Sequence, residues 1–306
     1  MSIAAKIIAD SVGPNQARLT TFQLRFQRFL LPQFNTHASV SKNARSSRAV
    51  PIQKLIIEAE TDPAVPLCWG KRRRGMQATE ELDGNEAWRS KQAWLDARDH
   101  AVASTYRLLD LGVHKQTTNR LLEPFLWVDV VATATYEGWA NLFALRCHHE
   151  AQPEFQALAV TMARLYRDSE ACEMPEGGWH LPYIDGEDQA GLIEFRRDPD
   201  LMSDREIELI KCSVARCARV SYTAFDGTPV PLDKDIAFHD ELVAEGHWSP
   251  TAHQGSAQAK GEFHRSGNFI GFDQYRQLLP KSVHTSFDFT TLDAFGEKGY
   301  LLKEVA

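Results

Sequence analysis

Gln33–Val50, QFNTHASVSKNARSSRAV, sets His37, Ser39, Ser41, Asn43, Arg45, Ser46, Ser47 and Arg48 within twelve residues, with almost nothing apolar to hold the segment in a core. Such a composition predicts a polar loop. Hydroxyl and amide side chains interleaved with guanidinium forks suit phosphate oxygens, because neutral and charged donors can converge on one dianion. Structured elements bracket the loop: RLTTFQLRFQRFLLP (18–32) precedes it and AVPIQKLI (49–56) follows it. Rigid flanks make it a presented loop, not a tail.

Outward from this loop, the 306 residues are long enough for one large domain or two small ones. A content of 43% apolar and 25% charged residues is that of an ordinary soluble globular protein. With a net charge of −7, nucleotide binding must rest on local basic clusters, and a nonspecific nucleic-acid surface is disfavoured. Met1 to Val12, broken by Lys6 and Asp10, is not a signal-peptide core, and no run of about eighteen apolar residues suggests a membrane span. Five cysteines, scattered at 68, 147, 172, 212 and 217, read as reduced thiols of a cytoplasmic protein.

In chain order, Phe22, Leu24 and Phe26 alternate with Gln23 and Arg25, predicting a half-buried strand within 18–29. Residues 61–90, with Pro63, Pro66, the basic Lys71–Gly75 and acids at 80–83, read as a loop excursion. Helical spacing predicts a helix over Trp88–Leu109, stopped by Gly112. The apolar stretch Leu121–Leu145 reads as a second long helix, with Pro124 in its first turn, Arg120 just ahead and Arg146 at its far end. Further helices are expected over Gln152–Arg167, over Ile207–Val220 behind a capping box of Ser203 and Glu206, over Lys234–Glu245, and over Phe269–Leu279 ahead of a tail at 281–306. His247 and His253, six residues apart, lack a carboxylate or cysteine at supporting spacing, so no metal site is expected.

The spacing H-x3-S-x-N-x2-S-x-R, carried by His37, Ser41, Asn43, Ser46 and Arg48 with Gln33 four residues ahead, resembles the signature of the flavin-dependent thymidylate synthases. Thr36 and Ala38 stand where that family keeps arginines, and Ala44 where it has a glutamate. A second piece, GVHKQTTNRLLEP (112–124) followed by WANLFALRCHHEAQPE (139–154), is similar to the family segment that supplies two nucleotide-contacting arginines. Thr135 and Glu137 replace its usual asparagine and arginine. A third, CARVSY (217–222) and then EGHWSPTAHQ (245–254), looks like its flavin-binding segment, with Ala252 for a glutamate. The third piece follows the other two here, a permuted order similar to bacteriophage-type members.

The resemblance implies an α+β fold, long helices packed on a small mixed or antiparallel sheet, in a single domain spanning 1–306. It implies reductive methylation of dUMP to dTMP, with FAD as cofactor and with NADPH and 5,10-methylenetetrahydrofolate as cosubstrates. Arg120 would face the pyrimidine and stabilise charge developing on it. Gln33, Ser46, Ser47, Arg48 and Arg146 would bind the nucleotide, while His37, Asn43, Asn141, Ser221, His247 and Ser249 would contact the flavin. The protein would be a homotetramer with shared active sites in the cytoplasm (the host's, if viral), with no nucleic acid or membrane partner. No cysteine has a nucleophile's setting; Cys68, in PLCWGK, is the one beside a basic run. The departures at 36, 38, 44 and 252 leave open a hydroxymethylase acting on dUMP or dCMP, or a non-catalytic nucleotide-binding homologue.

Overall fold

The computed structural model describes residues 3–78, 80–185, 204–222 and 230–279, with 221 and 222 as backbone alone. Two long strands, β1 (Ala4–Val12) and β2 (Arg18–Gln27), form an antiparallel hairpin. A short helix α1 (Leu31–Asn35) leads into β3 (Ser41–Ala44), and β4 (Trp127–Thr135) lies between β3 and β2. With the two-residue β5 (Cys172–Glu173) the sheet order is β3-β4-β2-β1-β5, antiparallel except for the β1–β5 pair.

The alternation read in β2 decides the layering. Phe22, Leu24 and Phe26 join Val128, Val130, Ala132 and Ala134 of β4 on one face. Against that face pack α5 (Tyr136–Arg146) and α6 (Pro153–Asp168) through Trp139, Leu142, Phe155, Leu158 and Met162. On the other face Val131 packs with Cys217 and Val220 of α7 (Asp204–Tyr222). A second core joins α2 (Ile52–Thr61) to the long α3 (Gly84–Asp110) through Leu55, Ile56, Val102 and Leu122. The remaining elements are α4 (Lys115–Thr118), β6 (Trp179–His180), α8 (Leu232–Ala244), β7 (Gly255–Ala257), β8 (Arg265–Ser266), β9 (Phe269–Ile270), β10 (Phe272–Gln274) and α9 (Tyr275–Leu278). Among the described residues no helix is long and apolar enough to cross a membrane. No disulfide forms among them either, and they include all five cysteines.

The expected α+β class holds, with long helices on a small sheet, but several elements differ from their sequence reading. Leu121–Leu145 is not one helix: a 3-10 turn (Asn119–Phe125) gives way to β4 and then to α5. The run VDVVATAT is rich in β-branched residues and is covered on both faces, so it lacks the alternation that marks a half-exposed strand. Gln33–Val50 is not wholly a loop, because β3 pairs with β4 from Ser41↔Thr133 to Ala44↔Val130. Polar side chains at Ser41 and Asn43 hide that strand from a hydrophobicity pattern. The closing helix expected over Phe269–Leu279 is instead β9, β10 and the one-turn α9, and Gly271, at φ +78, breaks any helical course. Helix α3 starts at Gly84, where the Asp83 carboxylate accepts from the Glu86 amide, so the 61–90 excursion is shorter than read. Ser203 and the tail at 281–306 lie outside the described residues.

Candidate functional site

β3 organises the site, with groups of polar side chains at both ends and one along its length. Before the strand, His37 is buried (6% exposed) and its Nε2 accepts from Arg146 Nε at the end of α5 (3.0 Å). The Arg146 guanidinium lies 4.6 Å over the Phe155 ring, which also meets the imidazole edge-on. The Asn141 side chain, one helical turn and a residue before Arg146, also hydrogen-bonds the His37 ring. Gly138 lets this helix approach: a Cβ there would lie 3.0 Å from the Ser39 carbonyl oxygen. Burial, then the Arg146 and Lys42 charges, push His37 down to about 4, so the imidazole is neutral near pH 7. Since Nε2 is the acceptor, Nδ1 carries the proton. Lys42 Nζ donates to the Asn35 and His37 carbonyls (3.2 and 2.7 Å), and burial lowers its pKa. No carboxylate is paired with Lys42 or Arg146 among the described residues, so this end of β3 is uncompensated positive charge.

Past the other end of β3, Ser47 Oγ donates to the Glu123 carboxylate, which also receives Arg120 NH1 (2.8 Å) and Arg28 NH2 (3.3 Å). The buried Asn119 amide ties the loop down by donating to the Ser47 carbonyl (2.6 Å) and the Val50 carbonyl (3.1 Å). Arg48 projects into solvent with no ion pair among the described residues, and Ser46 is half-buried beside it. One serine of the loop, Ser47, and two arginines from outside it, Arg28 and Arg120, meet on one carboxylate, a donor set that suits an anion. Replacing Asn119 with Ala leaves two carbonyls without their buried donor, so we expect a loss of about 2–3 kcal/mol in urea-induced unfolding. Weaker nucleotide binding should accompany it.

Along the strand, Asn43 Nδ2 donates to the Cys217 carbonyl (3.0 Å) and its Oδ1 accepts from Ser249 Oγ (3.3 Å). Asn43 therefore ties α7 and the segment carrying Ser249 to β3.

The structure thus brings together His37, Asn141 and Arg146, separately Ser47 and Arg120, and separately Asn43 and Ser249. Ser46 and Arg48 adjoin Ser47 in the loop without joining its contacts to Glu123, and Gln33 and His247 lie apart from these groups. The Gln33 amide donates to Gln152 Oε1, and Gln152 in turn donates to the buried Glu154, a chain that pins α1 to the start of α6. His247 is exposed and faces Glu245 at 3.3 Å. The Ser221 side chain lies outside the described residues. Sequence reasoning missed Glu123, Asn119 and Lys42. The first two flank Arg120 in N-R-x2-E, a spacing that places them in one 3-10 turn, but only the fold shows that this turn faces the serine loop.

Comparison with known proteins bears on this geometry directly. The sequence model of the thymidylate synthase complementing protein family matches residues 14–169, just over half of the 306. The chain belongs to that family. The matched span runs from the β1–β2 turn to the end of α6, so it carries both ends of β3, the Asn119–Glu123 turn and Arg146. No curated protein matches the chain. Among solved structures it is similar to the UMP/dUMP methylase PolB from Streptomyces cacaoi bound with 5-Br dUMP, at 15% identity and a TM-score of 0.46, covering 54% of this chain and 90% of that one. The same methylase bound with 5-Br UMP matches at 16% identity and a TM-score of 0.45, covering 54% and 89%. The family match ends at residue 169, ahead of the CARVSY and EGHWSPTAHQ segments.

Proposed function

We propose that this member of the thymidylate synthase complementing protein family is an FAD-dependent thymidylate synthase. It would convert dUMP to dTMP with methylenetetrahydrofolate as the carbon donor and NADPH as the reductant. One observation carries the reading: within the family-matched span, the serine loop and Arg120 converge on a single carboxylate, Glu123. A nucleotide monophosphate offers the same anionic chemistry, with more charge.

The donor set beside His37 fits a flavin. A neutral imidazole and the amide of Asn141 suit the carbonyl and imide edge of an isoalloxazine, and Asn43 and Ser249 offer further polar contacts. When bound, the flavin supplies the hydride that completes the methyl group. The chain's own residues bind and orient. Ser46, Ser47 and Arg48 hold the phosphate and sugar, and Arg120 stabilises negative charge developing on the uracil ring, which makes C5 the attacking carbon. Arg146 adds a nucleotide contact.

The two charged groups lie past opposite ends of β3, a strand of four residues or about 13 Å. A homotetramer would bring the His37 end of one copy toward the Ser47 end of another, completing a shared site. The direct test is the visible spectrum of the purified protein, followed by mass spectrometry of the product formed from dUMP, methylenetetrahydrofolate and NADPH. The expected result is a yellow protein that makes dTMP. A colourless protein that takes up no added FAD would overturn the proposal, and a product heavier by one oxygen would make it a hydroxymethylase.

A further inference from the structure

A line of buried polar side chains crosses the face of the sheet opposite its aromatic core. Ser11 Oγ of β1 meets His180 Nδ1 of β6, and His180 Nε2 meets Thr21 Oγ1 of β2. Thr21 Oγ1 meets Thr133 Oγ1, its direct partner in the β2–β4 register, and Thr133 Oγ1 meets His253 Nδ1. Each contact is 2.7–2.8 Å. None of the five residues is more than 5% exposed. The line ends at His253 Nε2, a buried ring nitrogen with no hydrogen-bond partner among the described residues. None of the three groups around β3 includes it.

Each hydroxyl in the line has one proton, and each neutral imidazole has one N–H. Both imidazoles are neutral at pH 7, since burial lowers their pKa to about 3. All four bonds can therefore form in only two ways, one the reverse of the other. Run from Ser11, the hydroxyl donates to His180 Nδ1, His180 Nε2–H to Thr21, Thr21 to Thr133, and Thr133 to His253 Nδ1. His253 then carries its proton on Nε2, and that N–H is the one unmatched group. Run from His253, its Nδ1–H donates to Thr133, and the last bond is His180 Nδ1–H to Ser11. Two groups are then unmatched: the His253 Nε2 lone pair and the Ser11 hydroxyl proton, which has no other acceptor among the described residues. Both directions strand one donor, and the second strands an acceptor as well. The first is therefore the more stable.

We propose that Ser11 sets the tautomer of His253 through this relay, so that His253 presents a neutral Nε2–H donor to an acceptor oxygen from outside the polypeptide. An anion at that point would draw a second proton onto the ring, against the burial that keeps it neutral, so the acceptor is an uncharged oxygen, of a water or of a carbonyl. His253 directly follows the 3-10 turn Ser249–Ala252, which packs on β3 and carries the serine that meets Asn43. Ser11, His180, Thr21 and Thr133 act through His253 and are positioning residues.

Nitrogen-15 NMR of the purified full-length protein, labelled at histidine, reads both tautomers at pH 7. His180 and His253 should both carry the proton on Nε2, with the Nδ1–H form of His253 below about one part in ten. Ser11→Ala makes the two directions equal in unmatched groups, so the Nδ1–H form of His253 should rise to about half. Ser11→Thr, which keeps the hydroxyl, should restore the original state. In a Thr133→Val background, where the line is cut, Ser11→Ala should no longer move His253. A wild-type His253 with its proton on Nδ1, or a Ser11→Ala protein with the original tautomer, overturns the relay, and the first of these needs no variant to fold. An Nε2–H resonance that shifts on adding dUMP or FAD marks a ligand carbonyl, and one that cross-relaxes with water alone marks a bound water. A resonance that does neither overturns the outside acceptor.

Discussion

Lowering the pH from 7 to 5.5 is expected to remove about 4 kcal/mol of folding stability, before most carboxylates begin to titrate. Three of the four buried histidines among the described residues carry this loss, and the fourth, His239, whose pKa burial also lowers, adds to it in the same direction. His180 and His253 belong to a chain of hydrogen bonds across the sheet: Ser11 Oγ to His180 Nδ1, His180 Nε2 to Thr21 Oγ1, Thr21 Oγ1 to Thr133 Oγ1, and Thr133 Oγ1 to His253 Nδ1, each 2.7–2.8 Å. Burial pushes both down to about 3, with the Asp10 charge opposing the shift at His180 and the neighbouring His180 adding to it at His253. His37 is held at about 4 by burial and by Arg146 and Lys42.

The sign follows from linkage. Each folded pKa lies below the unfolded value of about 6.5, so between these values the unfolded chain binds more protons and stability falls as pH falls. The histidine contribution is intact above about pH 6.5 and is progressively lost toward pH 4 and below. Over the interval from 7 to 5.5 each histidine contributes about 1.3 kcal/mol. Against a total stability of about 5–15 kcal/mol, that loss is large. Urea unfolding followed by circular dichroism at both pH values measures it. His180→Gln should flatten the dependence by about a third, and a total change below about 1.3 kcal/mol would contradict the assignment of three neutral buried imidazoles.

His180 did not stand out in the sequence, and the reason is general to this chain. Local spacing announces chemistry when the partners are neighbours in sequence, as in His37–Arg48, and the alternation in β2 announces a face. His180, Thr21 and Thr133 are 159 and 112 residues apart in their pairings, so only the strand order brings them together. His253 was legible as part of a polar motif, but not as a buried partner of Thr133. The same limit explains β4: a strand covered by α5 and α6 on one side and α7 on the other has no polar face to betray it. Arg120 and Arg146 were both legible as candidates. Their separation was expected from a helix between them, but the path was not: a strand and a returning helix, not one helix, connect them.

That separation makes the two arginines distinguishable by experiment. Arg120 is half-exposed (52%) and its ion pair with Glu123 lies at the surface, where such pairs contribute little to stability. Arg120→Ala should therefore leave Tm and any bound flavin unchanged. If its guanidinium stabilises charge on the uracil ring, tritium release from C5-labelled dUMP should fall by about 100–1,000-fold, the usual loss when one electrostatic donor is removed. Arg146→Ala acts on the other group. It removes the donor to His37 Nε2 and the cation over Phe155, and it lifts one of the charges that depress the imidazole. The His37 pKa should then rise toward its ordinary value, and nucleotide binding should weaken. NMR titration of the imidazole reads the first effect without any turnover. Normal tritium release from Arg120→Ala would remove that residue from the chemistry, while an unshifted His37 titration in Arg146→Ala would show that the two side chains do not act as a pair.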